Sequence, residues 1–228
     1  MTAQSITTGT TGTLAQQCAP AGRVTRSLLG YGVIAGPFYI AVSLAQALTR
    51  DGFRLDRHSW SLLENGSLGW IQSTNFILTG LMTVAAAAGL RRAMTGGRGR
   101  RWVPPLIAGY GAGLLGAGIF TADPAQGFPI GTPPATTISW HGLLHFLTGG
   151  TGFLCLIAAC LLLGSRFART GRTALAWFSR ITGVVFLAAF AGIAGGSHGP
   201  ATPAFATAVL LVWAWLATVC IHCYRAVA

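Results

Sequence analysis

One stretch decides the fold of this chain: LMTVAAAAGLRRAMTGGRGRRWVPPLIAGYGAGLLGAGIF, residues 81–120. In it, two apolar runs flank a glycine-rich segment that carries five arginines. An apolar run of about 20 residues is long enough to cross the hydrocarbon core of a bilayer as a helix. Short arginine-rich connections stay on the cytoplasmic side of a membrane. The stretch therefore predicts two membrane-spanning helices joined by a cytoplasmic turn.

The same alternation extends over the whole chain and predicts six spans. The chain has 228 residues, of which 52% are hydrophobic and only 8% charged, with a mean hydropathy of +0.60, whereas soluble domains carry about 25% charged residues. We predict an all-α, polytopic membrane helical bundle. The predicted spans are residues 28–48, 68–90, 103–121, 140–164, 181–196 and 203–222. Residues 1–27 are predicted to be a disordered cytoplasmic tail and residues 223–228 a short cytoplasmic tail.

The charged residues separate into two sets, and this separation predicts the orientation. Twelve of the fifteen arginines lie in the tails and in the second and fourth connections. The four carboxylates lie in the first and third connections: Asp51, Asp56, Glu64 and Asp123. Because arginine-rich segments stay inside, we expect both termini to be cytoplasmic. The expected location is the inner (plasma) membrane of a bacterial-type cell, with several passes.

The formal net charge of +11 does not indicate nucleic-acid binding, because the arginines lie in short segments between apolar runs. The expected partners are membrane lipids, including anionic headgroups at the cytoplasmic face. Each arginine near such a surface contributes about 1 kcal/mol. The sequence does not set the oligomeric state.

Glycines at helical spacing indicate how the spans pack. Gly32 and Gly36 are four residues apart, as are Gly109 and Gly113. Small residues at this spacing let helix backbones approach closely in lipid. We interpret them as packing positions within one chain.

The first connection contains a predicted short interfacial helix. Ser61 and Glu64 have the spacing of a capping box, and Asn65-Gly66 marks the end of the helix. Trp60 and the two leucines that follow Ser61 either rest on the bilayer or cap the bundle, and the sequence leaves both alternatives open.

The sharpest candidate site is the stretch Trp140–His145, which reads WHGLLH. His141 and His145 lie one turn apart on the same helical face. His145 is expected below the outer surface, where an ionisable group usually faces a cavity or a partner. Asp123 lies just after the end of the preceding span and is expected to approach His141. The candidate catalytic residues are therefore His141, His145 and Asp123.

Three interpretations of this site stay open, and the sequence does not decide whether the protein is an enzyme. A divalent metal can be held by His141, His145 and Asp123, with a position left for water. Alternatively, histidine and aspartate act without metal as an acid/base pair on a lipid or isoprenoid. In the third interpretation, the histidines form hydrogen bonds that hold the bundle closed. The spacing His-x-x-x-His alone is weak evidence for a metal.

Other polar residues are predicted to lie at the margin of this outward-facing pocket. The candidate binding residues are His198, His58, Glu64, Gln72 and Asn75. Gln72 and Asn75 are three residues apart on one face of the second span. They either line the cavity or form hydrogen bonds between helices.

Three stretches together resemble a bacterial integral-membrane family, the domain of unknown function number 998. They are HSWSLLENGSLGWIQSTNF (58–76), GIFTADPAQGFPIGTP (118–133) and SWHGLLHF (139–146). The resemblance covers roughly residues 28–222. It implies a multi-span inner-membrane protein, and it implies no activity.

The sequence therefore leaves three hypotheses about function. The first is an integral membrane protein whose outward-facing His/Asp pocket makes it a lipid- or isoprenoid-acting membrane enzyme. The second is a small-molecule carrier or an export component. The third is an accessory membrane scaffold with no chemistry.

Overall fold

Six long helices make up the fold. The computed structural model describes residues 11–133, 137–196 and 199–227. The helices are α1 (Thr11–Thr49), α2 (Gly69–Ala93), α3 (Gly97–Ile119), α4 (Trp140–Arg169), α5 (Thr173–Ala194) and α6 (Ala201–Ala226). Each contains a segment long and apolar enough to cross a membrane, and no β-strand forms in the described ranges. The prediction of an all-α, six-span membrane bundle is confirmed.

Helix α1 begins earlier than the sequence predicted. It begins at Thr11, inside the segment that we expected to be a disordered tail up to residue 27. Its part with membrane-spanning length and hydropathy is Ala21–Thr49. The run Leu-Ala-Gln-Gln at residues 14–17 consists of good helix formers.

The helices form a closed ring in chain order. Each helix packs against the next one, and α6 packs against α1. At one end of the ring, here called the arginine end, guanidinium groups bind carbonyl and hydroxyl oxygens of neighbouring helices and turns. Arg166 donates to the carbonyl oxygens of Thr95 and Gly96 at 2.9 Å each, and Arg92 donates to Thr25 Oγ1 at 3.0 Å. These bonds fix the helix ends relative to one another.

The opposite end of the ring, here called the cap end, is closed by a short 3₁₀ helix, Trp60–Glu64, which we call the cap helix. It packs against α1 and α2. Trp60, Leu62 and Leu63 are buried. Of the two alternatives left by the sequence, these residues therefore cap the bundle and do not rest on the bilayer.

Close approach of α3 and α4 depends on glycine. A Cβ atom at Gly113 would lie 2.7 Å from the Cα atom of Gly152 and 2.8 Å from the carbonyl oxygen of Thr148. Both neighbours are backbone atoms, which cannot move aside as a flexible side chain can. The contact gives α3 and α4 their spacing beside the cavity described below.

We expect Gly113→Ala to destabilise the bundle, because the added methyl group forces two backbones apart. Overpacking of this kind costs about 1–3 kcal/mol of unfolding free energy, which is a decrease of several degrees in Tm. The measurement is thermal unfolding in detergent. Gly30→Ala is the matched control, because a Cβ atom at Gly30 meets no other atom within 4 Å. Equal Tm values for the two variants would contradict the assigned role of Gly113.

Candidate functional site

A cavity lies inside the ring, under the cap helix. Its volume is about 140 Å³, and all six helices contribute to its wall. Most of the wall is aromatic or aliphatic: Phe76, Tyr110, Phe153, Phe190, Phe205 and Trp213. Trp60 covers the cavity from the cap end, and the side chain of His145 forms part of the wall. The cavity therefore offers a largely apolar site in which His145 is an acid/base group.

His145 is held by a buried carboxylate and by two carbonyl oxygens. Its Nδ1 atom lies 3.2 Å from Glu64 Oε2, 2.8 Å from the carbonyl oxygen of Phe120 and 3.1 Å from that of Ala117. Carbonyl oxygens only accept hydrogen bonds, so Nδ1 carries a proton. Nε2 has no hydrogen-bond partner among the residues that the structure describes, and it is therefore the nitrogen left for a ligand in the cavity.

Glu64 supplies the carboxylate of this pair. Its side chain is fully buried. Ser73 Oγ donates to Oε1 at 3.3 Å, and the backbone N–H of Ala122 donates to Oε2 at 3.3 Å. Burial raises the pKa of the Glu64 carboxyl above its ordinary value, while the bonds from His145, Ala122 and Ser73 lower it in part. A buried carboxyl needs such partners, because an isolated charge there is very unfavourable.

Asp123 lies at the N-terminus of α4 and not in a pocket with both histidines. Its Oδ2 accepts a hydrogen bond from the backbone N–H of Ser139 at 2.8 Å. The carboxylate also lies so close to Gly142 that a Cβ atom there would displace it. Ser139 Oγ accepts from the N–H of Gly142 at 3.0 Å, as an N-cap does. A carboxylate at a helix N-terminus interacts favourably with the helix dipole, so Asp123 stabilises the start of α4.

His141 does not join His145 in a shared site. Its ring stacks on Trp140, with the ring centroids 3.6 Å apart, and lies 6.2 Å from the Phe120 ring. Its buried Nδ1 has no hydrogen-bond partner within the described ranges. In the same ranges, no group of three or more His, Cys, Asp or Glu residues could hold a metal ion. The structure therefore does not assemble His141, His145 and Asp123 into a ligand set for a divalent metal.

His58 connects two loops at the cap end. Its Nδ1 accepts the backbone N–H of Arg54 at 3.0 Å, so its Nε2 carries the proton and donates to the carbonyl oxygen of Gln126 at 3.2 Å. The ring packs between Phe53 and Phe128. Burial lowers the pKa of His58. This geometry gives His58 a structural role.

Gln72 and Asn75 belong to a buried polar network between α1 and α2. Gln46 Nε2 donates to Gln72 Oε1 at 2.8 Å. Asn75 Nδ2 donates to Ser43 Oγ at 3.1 Å and to the carbonyl oxygen of Tyr39 at 3.2 Å. The interpretation as hydrogen bonds between helices is therefore the one that the geometry supports. His198 lies outside the described residues.

The sequence interpretation missed two features of the site. The aromatic wall went unnoticed, because an aromatic side chain in a membrane helix can face lipid equally well. Glu64 was placed at the margin, although it is the direct partner of His145. The sequence held one signal for the importance of Glu64, since it is the only glutamate in the chain.

We expect His58 to make stability depend on pH. A histidine whose pKa is lowered by folding stabilises the protein above about pH 6.5, its ordinary value. That stabilisation is lost as the pH falls through the lowered pKa of the folded state. The Tm of the wild type relative to that of His58→Asn should therefore fall between pH 7 and pH 5. A constant Tm difference between the wild type and a folded His58→Asn protein over this range would contradict this assignment.

Comparison with known proteins identifies the family. Residues 33–222 match the family described as "Protein of unknown function (DUF998)", in agreement with the resemblance noted in the sequence. Searches of curated proteins and of solved structures found no significant match. Because the match covers most of the chain, this six-span membrane protein belongs to the DUF998 family.

Proposed function

We propose that this protein is a membrane enzyme that acts on a lipid or isoprenoid bound in the cavity under the cap helix. In this proposal, His145 exchanges a proton with the substrate through Nε2, and Glu64 holds and orients the imidazole. The observation that carries the proposal is the pairing of Glu64 with His145, which lies in the wall of a largely apolar cavity.

The size and lining of the cavity favour an apolar chain. An apolar cavity of about 150 Å³ holds a benzene ring, so a volume of about 140 Å³ fits one isoprenoid unit or a short piece of acyl chain. Phe146 lines the cavity and is 45% exposed. The rest of a long chain can extend past this side chain into the bilayer.

The pairing of Glu64 with His145 suits acid/base work. A carboxylate that accepts from Nδ1–H fixes the tautomer in which Nε2 carries the lone pair. Nε2 can then accept a proton from a hydroxyl group or a water molecule at the polar end of the substrate and return it later. The aromatic wall keeps bulk water away from this exchange. Asp123 and His141, which the sequence placed in the catalytic set, are left with structural roles in the proposal.

The proposal predicts that one variant loses turnover but keeps binding, and that a second variant loses binding itself. His145→Gln keeps the polar character of the site but removes acid/base capacity, so turnover should fall about 10²–10⁴-fold while binding persists. Gly149→Leu should abolish binding, because Gly149 lines the cavity and a Cβ atom there meets nothing within 4 Å. Binding is measured as the Tm shift on addition of farnesol. Turnover is measured by mass spectrometry of a membrane lipid extract incubated with the protein.

Two controls match these variants. His141→Gln makes the same substitution on the same helix and should keep turnover within a few fold of wild type. Gly30→Leu adds the same side chain at another open position and should keep binding. Saturable binding without any conversion would contradict an enzyme and favour a carrier. If neither binding nor conversion is detected, only the scaffold hypothesis remains.

We also propose that the arginine end faces the cytoplasm, with both termini on that side. The support is the clustering of arginine at this end and of the four carboxylates in the connections at the cap end. A green fluorescent protein fused after Ala228 should fluoresce in intact bacteria, whereas an alkaline phosphatase fused there should be inactive. The reverse pattern would overturn the orientation.

A further inference from the structure

Three arginines from three helices line one open groove at the arginine end. Arg98 lies in the first turn of α3, Arg169 in the last turn of α4, and Arg180 on α5. The groove, here called the arginine groove, also includes Leu162, Ser165 and Ala168. It lies at the opposite end of the bundle from the cavity under the cap helix.

The positive charge of the arginine groove has no carboxylate side chain to neutralise it. All four carboxylates of the chain lie in the first and third connections, which are at the cap end. Within the described part of the chain, Arg98 and Arg169 make no hydrogen bond or ion pair, and the Arg180 guanidinium lies 5.7 Å from the centroid of the Trp177 ring. Like charges that share one groove repel one another, and a bound anion offsets that repulsion.

Packing holds one of these arginines, Arg180, in place. The stem of Arg180 lies against α4, where a Cβ atom at Gly164 would come within 2.8 Å of Arg180 Cγ. Arg166 differs from the groove arginines, because its two hydrogen bonds to Thr95 and Gly96 use its guanidinium to join α4 to the turn before α3. That join sets the position of Arg98 relative to Arg169. The groove is therefore built by the fold and does not depend on a flexible tail.

The surroundings of the groove indicate the kind of anion. Leu162 and Ala168 give it an apolar side. Trp177 is 58% exposed beside it, as tryptophans are at the interface between membrane and water. Guanidinium groups bind phosphate oxygens with paired, charge-assisted hydrogen bonds. We propose that the arginine groove binds the phosphate group of an anionic phospholipid, with an acyl chain of that lipid along Leu162. This proposal is independent of the one made for the cavity.

The test compares lipid binding to two triple variants with the same loss of charge. The groove variant carries Arg98→Gln, Arg169→Gln and Arg180→Gln. The control variant carries Arg91→Gln, Arg100→Gln and Arg101→Gln, which lie at the same end but outside the groove. Titration of detergent-purified protein with dioleoylphosphatidylglycerol is followed by native mass spectrometry, with dioleoylphosphatidylcholine and inorganic phosphate in parallel. Thermal unfolding confirms that each variant is folded.

We expect saturable binding of one phosphatidylglycerol to the wild type and the control variant, with an apparent Kd at least about tenfold higher in the groove variant. Phosphatidylcholine and inorganic phosphate should not compete at equal concentration. Equal weakening in both triple variants would overturn the site, because it would show a diffuse attraction to the whole surface. Competition by inorganic phosphate would overturn the lipid and indicate a soluble anion. If the groove variant does not fold, Arg169→Gln alone, at an exposed position, replaces it.

Discussion

The contact between Glu64 and His145 joins parts of the chain that are far apart in sequence. Glu64 ends the cap helix, His145 lies on α4, and the other partners of the carboxyl are Ser73 on α2 and the backbone of Ala122 after α3. One buried carboxyl therefore connects the cap helix to two of the six spans and to the segment that follows a third. Because a buried charge or carboxyl is tolerated only with partners, these elements have to come together in one arrangement. The cavity exists in the space that this arrangement leaves.

The number of spans could be predicted because it follows from a strong physical rule. Backbone polar groups must be satisfied inside lipid, so long apolar runs become helices. The rotation of each helix about its axis could not be predicted in the same way. A helix in lipid is apolar on the face toward lipid and on the face toward its neighbours, so hydrophobicity does not distinguish the two. His145 was an exception, because an ionisable group at that depth has to face inward.

The local contacts of the other candidate residues could not be predicted for the same physical reason. Asp123 was expected to approach His141 as a functional partner. Its carboxylate instead accepts a hydrogen bond from the backbone N–H of Ser139 at the N-terminus of α4. His141 stacks on its neighbour Trp140, a local contact that spacing along the helix does not reveal. Trp60 is as compatible with lipid as with a protein core. Its burial at the cap end therefore depends on contacts across the fold, which the sequence does not reveal. Glycine spacing was more informative, since Gly113 does allow close approach of two backbones.

Because Trp60 is buried over the cavity at the cap end, a ligand of the proposed kind would enter from the bilayer. The occupancy of the cavity would then depend on the mole fraction of the ligand among the lipids and not on its concentration in water. Long-chain isoprenoids partition almost wholly into the membrane, where even a scarce species meets the protein often. A site of modest intrinsic affinity can then be largely occupied. Weak binding measured in dilute detergent would understate occupancy in the cell, because micelles dilute the ligand far more than a membrane does.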